Sequence, residues 1–165
     1  MPATIMTMGN GMSYSSSILQ AEQFLAGMIY GLVQKDDLSE IEKCLNNASE
    51  LKSEVDAVIA DFSSGEKAQI WAGIKELGVI MQDLPTDLEN CQSMDGDIKR
   101  ITAWASIFND PTKLFTTVMG NVFKNSTKII ADITESTEDM GKGNYYNSGE
   151  DIAEVMTLCL GAVPE

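Results

Sequence analysis

Cysteines and carboxylates carry most of the chemistry this chain can offer, since it holds 3 Cys, 25 Asp and Glu and no His. Without histidine, Ser-His and Cys-His nucleophile pairs and most zinc sites are excluded. An enzyme built here would have to work with carboxylates alone, and no catalytic set is recognisable. The chain reads as non-enzymatic, with no catalytic, cofactor-binding or metal-ligating residue assigned and no cofactor expected.

Cys44 and Cys91 each ride on a helix-period apolar pattern, on segments separated by a turn and a further helix. Antiparallel packing would bring them within bonding distance, and a disulfide is the favoured reading over two buried thiols. Closing the 46 residues between them would stabilise the fold by roughly 3–4 kcal/mol. Cys159 is then the odd thiol, placed on the inner face of the last helix. It reads as buried and free, with an intermolecular bond as the alternative.

Asn47-Ala48-Ser49 and Asn125-Ser126-Thr127 match the glycosylation acceptor pattern, so Asn47 and Asn125 are possible modification sites. Each falls inside an expected helix. The acidic groups Asp36/Asp37, Asp95/Asp97 and Asp132/Glu135/Glu138/Asp139 invite a calcium or glycosidase reading. Asp95-Gly96-Asp97 lacks the spacing and terminal Glu of an EF-hand loop, and solvated caps and helix faces account better for these acids. Trp71 and Trp104 sit at core-compatible positions and read as packing.

The elements that must position these residues are helical throughout. At 165 residues the chain fits one domain and can bury a substantial core. Residues 1–16 have no helical period and read as an extended N-terminal arm, ahead of a single helical domain over 17–165. Met1–Ser17 lacks a charged leader region and a continuous apolar run, so it does not read as an intact secretory signal. Ser17 can cap a helix over Ile18 to Gln34, on which Gly27-x-x-x-Gly31 would allow close helix contact. Leu38, Ile41, Leu45, Ala48, Leu51, Val55, Val58 and Phe62 follow at three- and four-residue steps and predict one long amphipathic helix.

Ile70, Ile74, Leu77 and Met81 predict the next helix, and Pro85 a corner leading into a short helix that carries Cys91. Ile98, Ile101, Trp104 and Phe108 share a face in the segment after Asp95-Gly96-Asp97 and are expected in the main core. Asp110-Pro111 supplies a cap with proline at the first helical position, opening the longest helix through Leu114, Phe115, Val118, Val122, Phe123, Ile129, Ile130 and Ile133. Gly141 and Gly143 close it, and Ser148 begins a last helix that stops at Gly161. With no strand alternation, the fold class is all-α, a compact bundle of five to seven helices.

Leu38-x-x-Ile41-Glu42-x-Cys44-Leu45, Leu84-Pro85-x-Asp87-Leu88-x-x-Cys91, the tryptophan block Asp97-Ile98-x-x-Ile101-x-x-Trp104-Ala105-Ser106-Ile107-Phe108-x-Asp110-Pro111 and Gly149-Glu150-Asp151-Ile152-Ala153 together resemble an uncharacterised family of small, helical, often secreted proteins of ciliates and related protists. The resemblance spans about residues 20–162 and implies that Cys44 and Cys91 meet an oxidising compartment. It supplies no catalytic residue.

A formal charge of −14 repels phosphate backbones and anionic surfaces, so nucleic acid is a poor partner. No apolar run approaches the ~20 residues of a bilayer-spanning helix, which reads as a soluble chain without a transmembrane segment. These observations predict a secreted, extracellular structural protein whose partner is itself, as a homo-oligomer or the subunit of a fibre or matrix. The alternative is a small-ligand or lipid-binding helical module, in which Met-rich helices line an adaptable cavity.

Overall fold

The computed structural model describes residues 9–64 and 66–164, with side chains described from Ile18 onward except that of Lys67. Over these residues the chain forms seven α-helices and no strand: α1 (Gly9–Val33), α2 (Leu38–Cys44), α3 (Ala48–Ser63), α4 (Lys67–Asp87), α5 (Asp95–Trp104), α6 (Pro111–Gly141) and α7 (Tyr145–Leu160). Short 3-10 turns at Gln92–Met94 and Ala105–Asn109 flank α5. The all-α bundle of five to seven helices is borne out.

The bundle is organised around α1. Ala21, Phe24, Leu25, Ala26, Met28 and Ile29 are all buried, and a helix that is apolar on nearly every side must be surrounded. It packs chiefly on α7, with α2, α3 and α5 covering other sides. The α1–α7 seam is close because glycines line it. A Cβ at Gly27 would overlap the Tyr146 carbonyl oxygen, one at Gly149 that of Phe24, and one at Gly31 would crowd the Ala153 methyl. The close contact expected from Gly27-x-x-x-Gly31 is therefore present.

α6 opens as the sequence predicts, with the Asp110 carboxylate accepting from the Lys113 backbone N–H at 3.1 Å and Pro111 at the first position. It runs antiparallel to α7: the Asn121 side-chain amide donates to the Cys159 carbonyl at 2.7 Å near one end, and the buried Ser136 and Ser148 hydroxyls share a 2.7 Å bond near the other. Asn125, at φ −116° and ψ 22°, kinks α6 partway along.

Several boundaries differ from expectation. The long helix predicted over 38–62 is two helices, because Asn47 adopts the left-handed conformation (φ 60°). This turn is tied to the end of α4: the Asn46 N–H donates to the Asp87 carbonyl at 2.9 Å, and the Asn47 amide to the Asp87 carboxylate at 3.1 Å. Pro85 does not turn a corner but lies in the last turn of α4, and Cys91 sits in the loop beyond. The last helix begins at Tyr145 rather than Ser148. α1 starts at Gly9, so Ser17 lies within it rather than capping it. Of the N-terminal arm expected over 1–16, residues 1–8 and the side chains up to Ser17 lie outside the described residues. Trp104 and Phe108 are half-buried against the core; the Trp104 indole donates to the Gly161 carbonyl at 2.9 Å, and the Phe108 ring packs where a side chain at Gly78 would be.

Candidate functional site

Cys44 ends α2 and Cys91 follows α4, and the two form a disulfide with their Cα atoms 5.3 Å apart. It fastens the α2–α3 turn to the end of α4, alongside the Asn46 and Asn47 bonds to Asp87. Cys159 is a buried free thiol whose ionisation burial pushes up to about 12, which leaves it unreactive and badly placed for bonding another chain. The candidate glycosylation sites are separated. Asn47 is exposed on the α2–α3 turn rather than inside a helix, and Asn125 is partly exposed at the α6 kink.

The acids depart from the expected solvated caps. Asp36, one residue before the N-cap Asp37, accepts from the Leu38 N–H at the start of α2 at 3.1 Å, and Glu135 and Glu138 are exposed. Asp37, Asp87 and Asp132, however, are buried, and carboxyls meet one another across two helix seams. Between α3 and α4, burial first, then Asp83, Asp87 and Glu50, raise Glu54 to about 7; burial and Asp61 raise Glu76. Between α6 and α7, burial and then Glu154 raise Asp132 to about 7. Burial and then Asp139 and Glu135 raise Asp151 to about 9. On α1, burial and then Glu42 raise Glu22 to about 7.

Glu135, Asp139 and Asp151 bring carboxylate oxygens within 4.8 Å of one another. A calcium ion takes about six to eight oxygens, where this trio converges one oxygen from each residue, whereas a shared proton needs only two. Proton sharing across the seam is the chemistry this arrangement suits.

Two open grooves border the helices. One, of about 460 Å³, lies beside the disulfide and is lined by Leu88, Cys91, Ile98 and Thr102 among others. The other, of about 480 Å³, is lined by Leu32, Val33, Arg100 and Val163 among others. Neither is lined by methionine or by a seam carboxyl. Met28, Met81, Met94 and Met156 instead fill the core completely buried, so they do not line the adaptable cavity that a ligand-binding module would need.

The least compensated feature is the outer side of α6. Its apolar residues come as adjacent pairs, Leu114-Phe115, Val122-Phe123 and Ile129-Ile130. Neighbours in a helix point about 100° apart, so on a helix covered mainly from one side only one member of such a pair is fully buried. Leu114, Val122 and Ile129 go inward, each no more than 4% exposed, while Phe115 (50%), Phe123 (79%) and Ile130 (38%) remain outside. On α4, Val79 is 48% exposed, and Trp71 meets Phe115 edge-on at 5.2 Å between ring centroids. A shallow groove of about 170 Å³, lined by Trp71, Val79, Phe108 and Leu114 among others, runs between the two helices. Clustered exposed apolar groups of this kind mark contact surfaces. The sequence signal that could have found them is the doublet itself, which the single-face reading of α6 passed over.

Among the described residues no helix is long and apolar enough to cross a membrane. A family model described as SctB-like, Secreted protein B-like, matches residues 5–160. No curated protein and no solved structure matches the chain. The likeness to ciliate and protist proteins is thereby corrected: it rested on four short blocks, the tryptophan block foremost, whereas the matching family model spans nearly the whole chain. The family's name implies secretion, which agrees with the oxidising surroundings that a structural disulfide requires. The chain belongs to the SctB-like, or secreted protein B-like, family.

Proposed function

We propose that this is a non-enzymatic, extracellular structural protein that self-associates, as a homo-oligomer or as the subunit of a fibre or matrix. The observation that carries the reading is the exposed apolar surface of α4 and α6, with Val79, Phe115 and Ile130 held outside a core that is otherwise filled. A disulfide-braced scaffold suits a protein that works outside the cell by presenting a surface. Asn47 and Asn125 are proposed glycan acceptors of the secreted material, and neither lies in the Trp71–Val79–Phe115 cluster. Intact-mass measurement before and after endoglycosidase treatment tests this; an unchanged mass removes it.

The self-association reading is tested by sedimentation velocity over a concentration series of native protein, followed by negative-stain microscopy. Species larger than the monomer that grow with concentration are expected. A monomer at every concentration, particularly one that releases an extractable lipid, would overturn the reading in favour of a ligand-binding module.

A further inference from the structure

α6 is held differently on the two sides of its kink at Asn125, where the backbone leaves helical values. Before the kink, Leu114, Val118 and Val122 are buried, Phe115 meets Trp71, and the Asn121 amide is bonded to the Cys159 carbonyl. Beyond it Ile129 and Ile133 are buried, and the polar contacts with α7 are the Ser136–Ser148 bond, Lys128 to Glu154 and Asp132, and a row of carboxyls.

That row sets Asp132, Glu135 and Asp139 of α6 against Glu150, Asp151 and Glu154 of α7. Glu135, Asp139 and Asp151 converge within 4.8 Å. Asp132 is only 7% exposed, and its Oδ2, like that of Asp151, is buried without a hydrogen-bond partner among the described residues. Lys128 is the one base paired with these acids; Lys142, just beyond α6, makes no ion pair among the described residues. The other elements bring no relief. α1, packed on α7, has no base from Ile18 to Val33, and its Glu22 faces Glu42. Tyr146, near Tyr30 of α1, is turned to Asp36. α3 meets this half of α6 through Phe62 and Ser63, beside Glu138.

Ionised carboxyls this close repel, whereas a proton between two of them makes a hydrogen bond. Burial and then the facing acids accordingly hold Asp132 up at about 7 and Asp151 at about 9. In an opened seam each would return to about 4. Each therefore favours closure fully below about pH 4 and loses that contribution, up to tenfold per pH unit, as pH rises toward its closed value.

We propose that residues 126–141, the half of α6 beyond Asn125, form a hinged arm latched to α7 by protons that Asp151 shares with Glu135 and Asp139 and that Asp132 shares with Glu154, closed in acid and increasingly released as the pH rises past neutrality. The glycine-lined contact keeps α7 on α1, so the arm is the part that moves. Its release bares Ile129 and Ile133 next to Phe123 and Ile130, which are already outside.

Hydrogen exchange of the native chain read by mass spectrometry, as protection relative to the unstructured rate at each pH, tests the latch. Protection of residues 126–141 should fall about tenfold or more from pH 5 to pH 8. Exchange there at pH 8 should not respond to ~1 M urea, which speeds exchange through global unfolding about tenfold. Asp151→Asn gives Glu135 and Asp139 a permanent donor and should shrink the fall with pH severalfold. Glu135→Gln, at an exposed position, supplies a donor from the other side and serves should the first variant not fold. Equal protection of residues 126–141 at both pH values, a fall that the folded variants keep in full, or exchange there that rises with urea in step with residues 21–33 overturns the latch.

Discussion

α1 and α6 are both long and rich in apolar residues, yet the bundle treats them oppositely. α1 is enclosed, with Phe24, Leu25, Met28 and Ile29 buried on all sides and Gly27 drawn against α7. α6 turns one row of apolar residues inward and leaves Phe115, Phe123 and Ile130 outside. Apolar content alone does not say which helix will be enclosed; the number of neighbouring elements that can cover it does. α1 has four such neighbours, while α6 lies at the edge with α7 on one side and has nothing comparable beyond Phe115.

The largest expected effect comes from loosening the elements that cover α1. Replacing Cys44 and Cys91 together with Ser frees the α2–α3 turn from α4 and should cost roughly 3–4 kcal/mol. A shift in denaturation midpoint checks it, and the near-ultraviolet signal of Trp71 beside Phe115 should survive in the folded variant. Gly149→Ala should cost about 2–3 kcal/mol, because the added methyl forces α7 away from the Phe24 carbonyl. A thermal melt within a degree of native would mean that the seam is looser than its glycines imply.

Much of this comparison was legible in the sequence. The Asp110-Pro111 start of α6, the glycine pair of α1 and the Cys44–Cys91 brace follow from local rules about caps, close approach and spacing. The break at residues 45–47 was not, because Ile41, Leu45 and Ala48 keep helical phase across it. Its causes are a left-handed Asn47 and bonds to Asp87, 40 residues away for Asn47. The carboxyl seams were likewise hidden, since Glu54 and Asp83, or Asp132 and Glu154, become neighbours only when helices pack. The α6 doublets were visible, but which member faces inward is set by α7.

A smaller effect should appear with pH. Glu22, Glu54 and Asp132 are raised to about 7 and Asp151 to about 9, against about 4 in an unfolded chain. Between about pH 4 and those values the folded chain binds more protons than the unfolded one, so stability falls as pH rises. Glu154, lowered by its bonds to Asp132 and Lys128, acts in the other sense but only below its ordinary range. The melting temperature should therefore be higher at pH 5 than at pH 8 by a few degrees, each ~1 kcal/mol being worth about 2–4 °C at this size. A melting temperature that rises over that interval would show that the seam carboxyls stay ionised. Most of the paired carboxyls lie in the α3–α4 and α6–α7 seams, so the glycine-lined α1–α7 contact should be the last to loosen in hydrogen exchange.

The smallest effect on stability should come from the exposed face, and it separates the two helices most directly. Val79→Ser with Phe115→Ser removes two half-exposed side chains, and the variant should stay within about 1 kcal/mol of native. Sedimentation velocity of this variant beside the native chain at equal concentration is the decisive measurement. Loss of the larger species with the melting temperature nearly unchanged is the result predicted for a contact surface on α4 and α6. Undiminished association of the folded variant would contradict it.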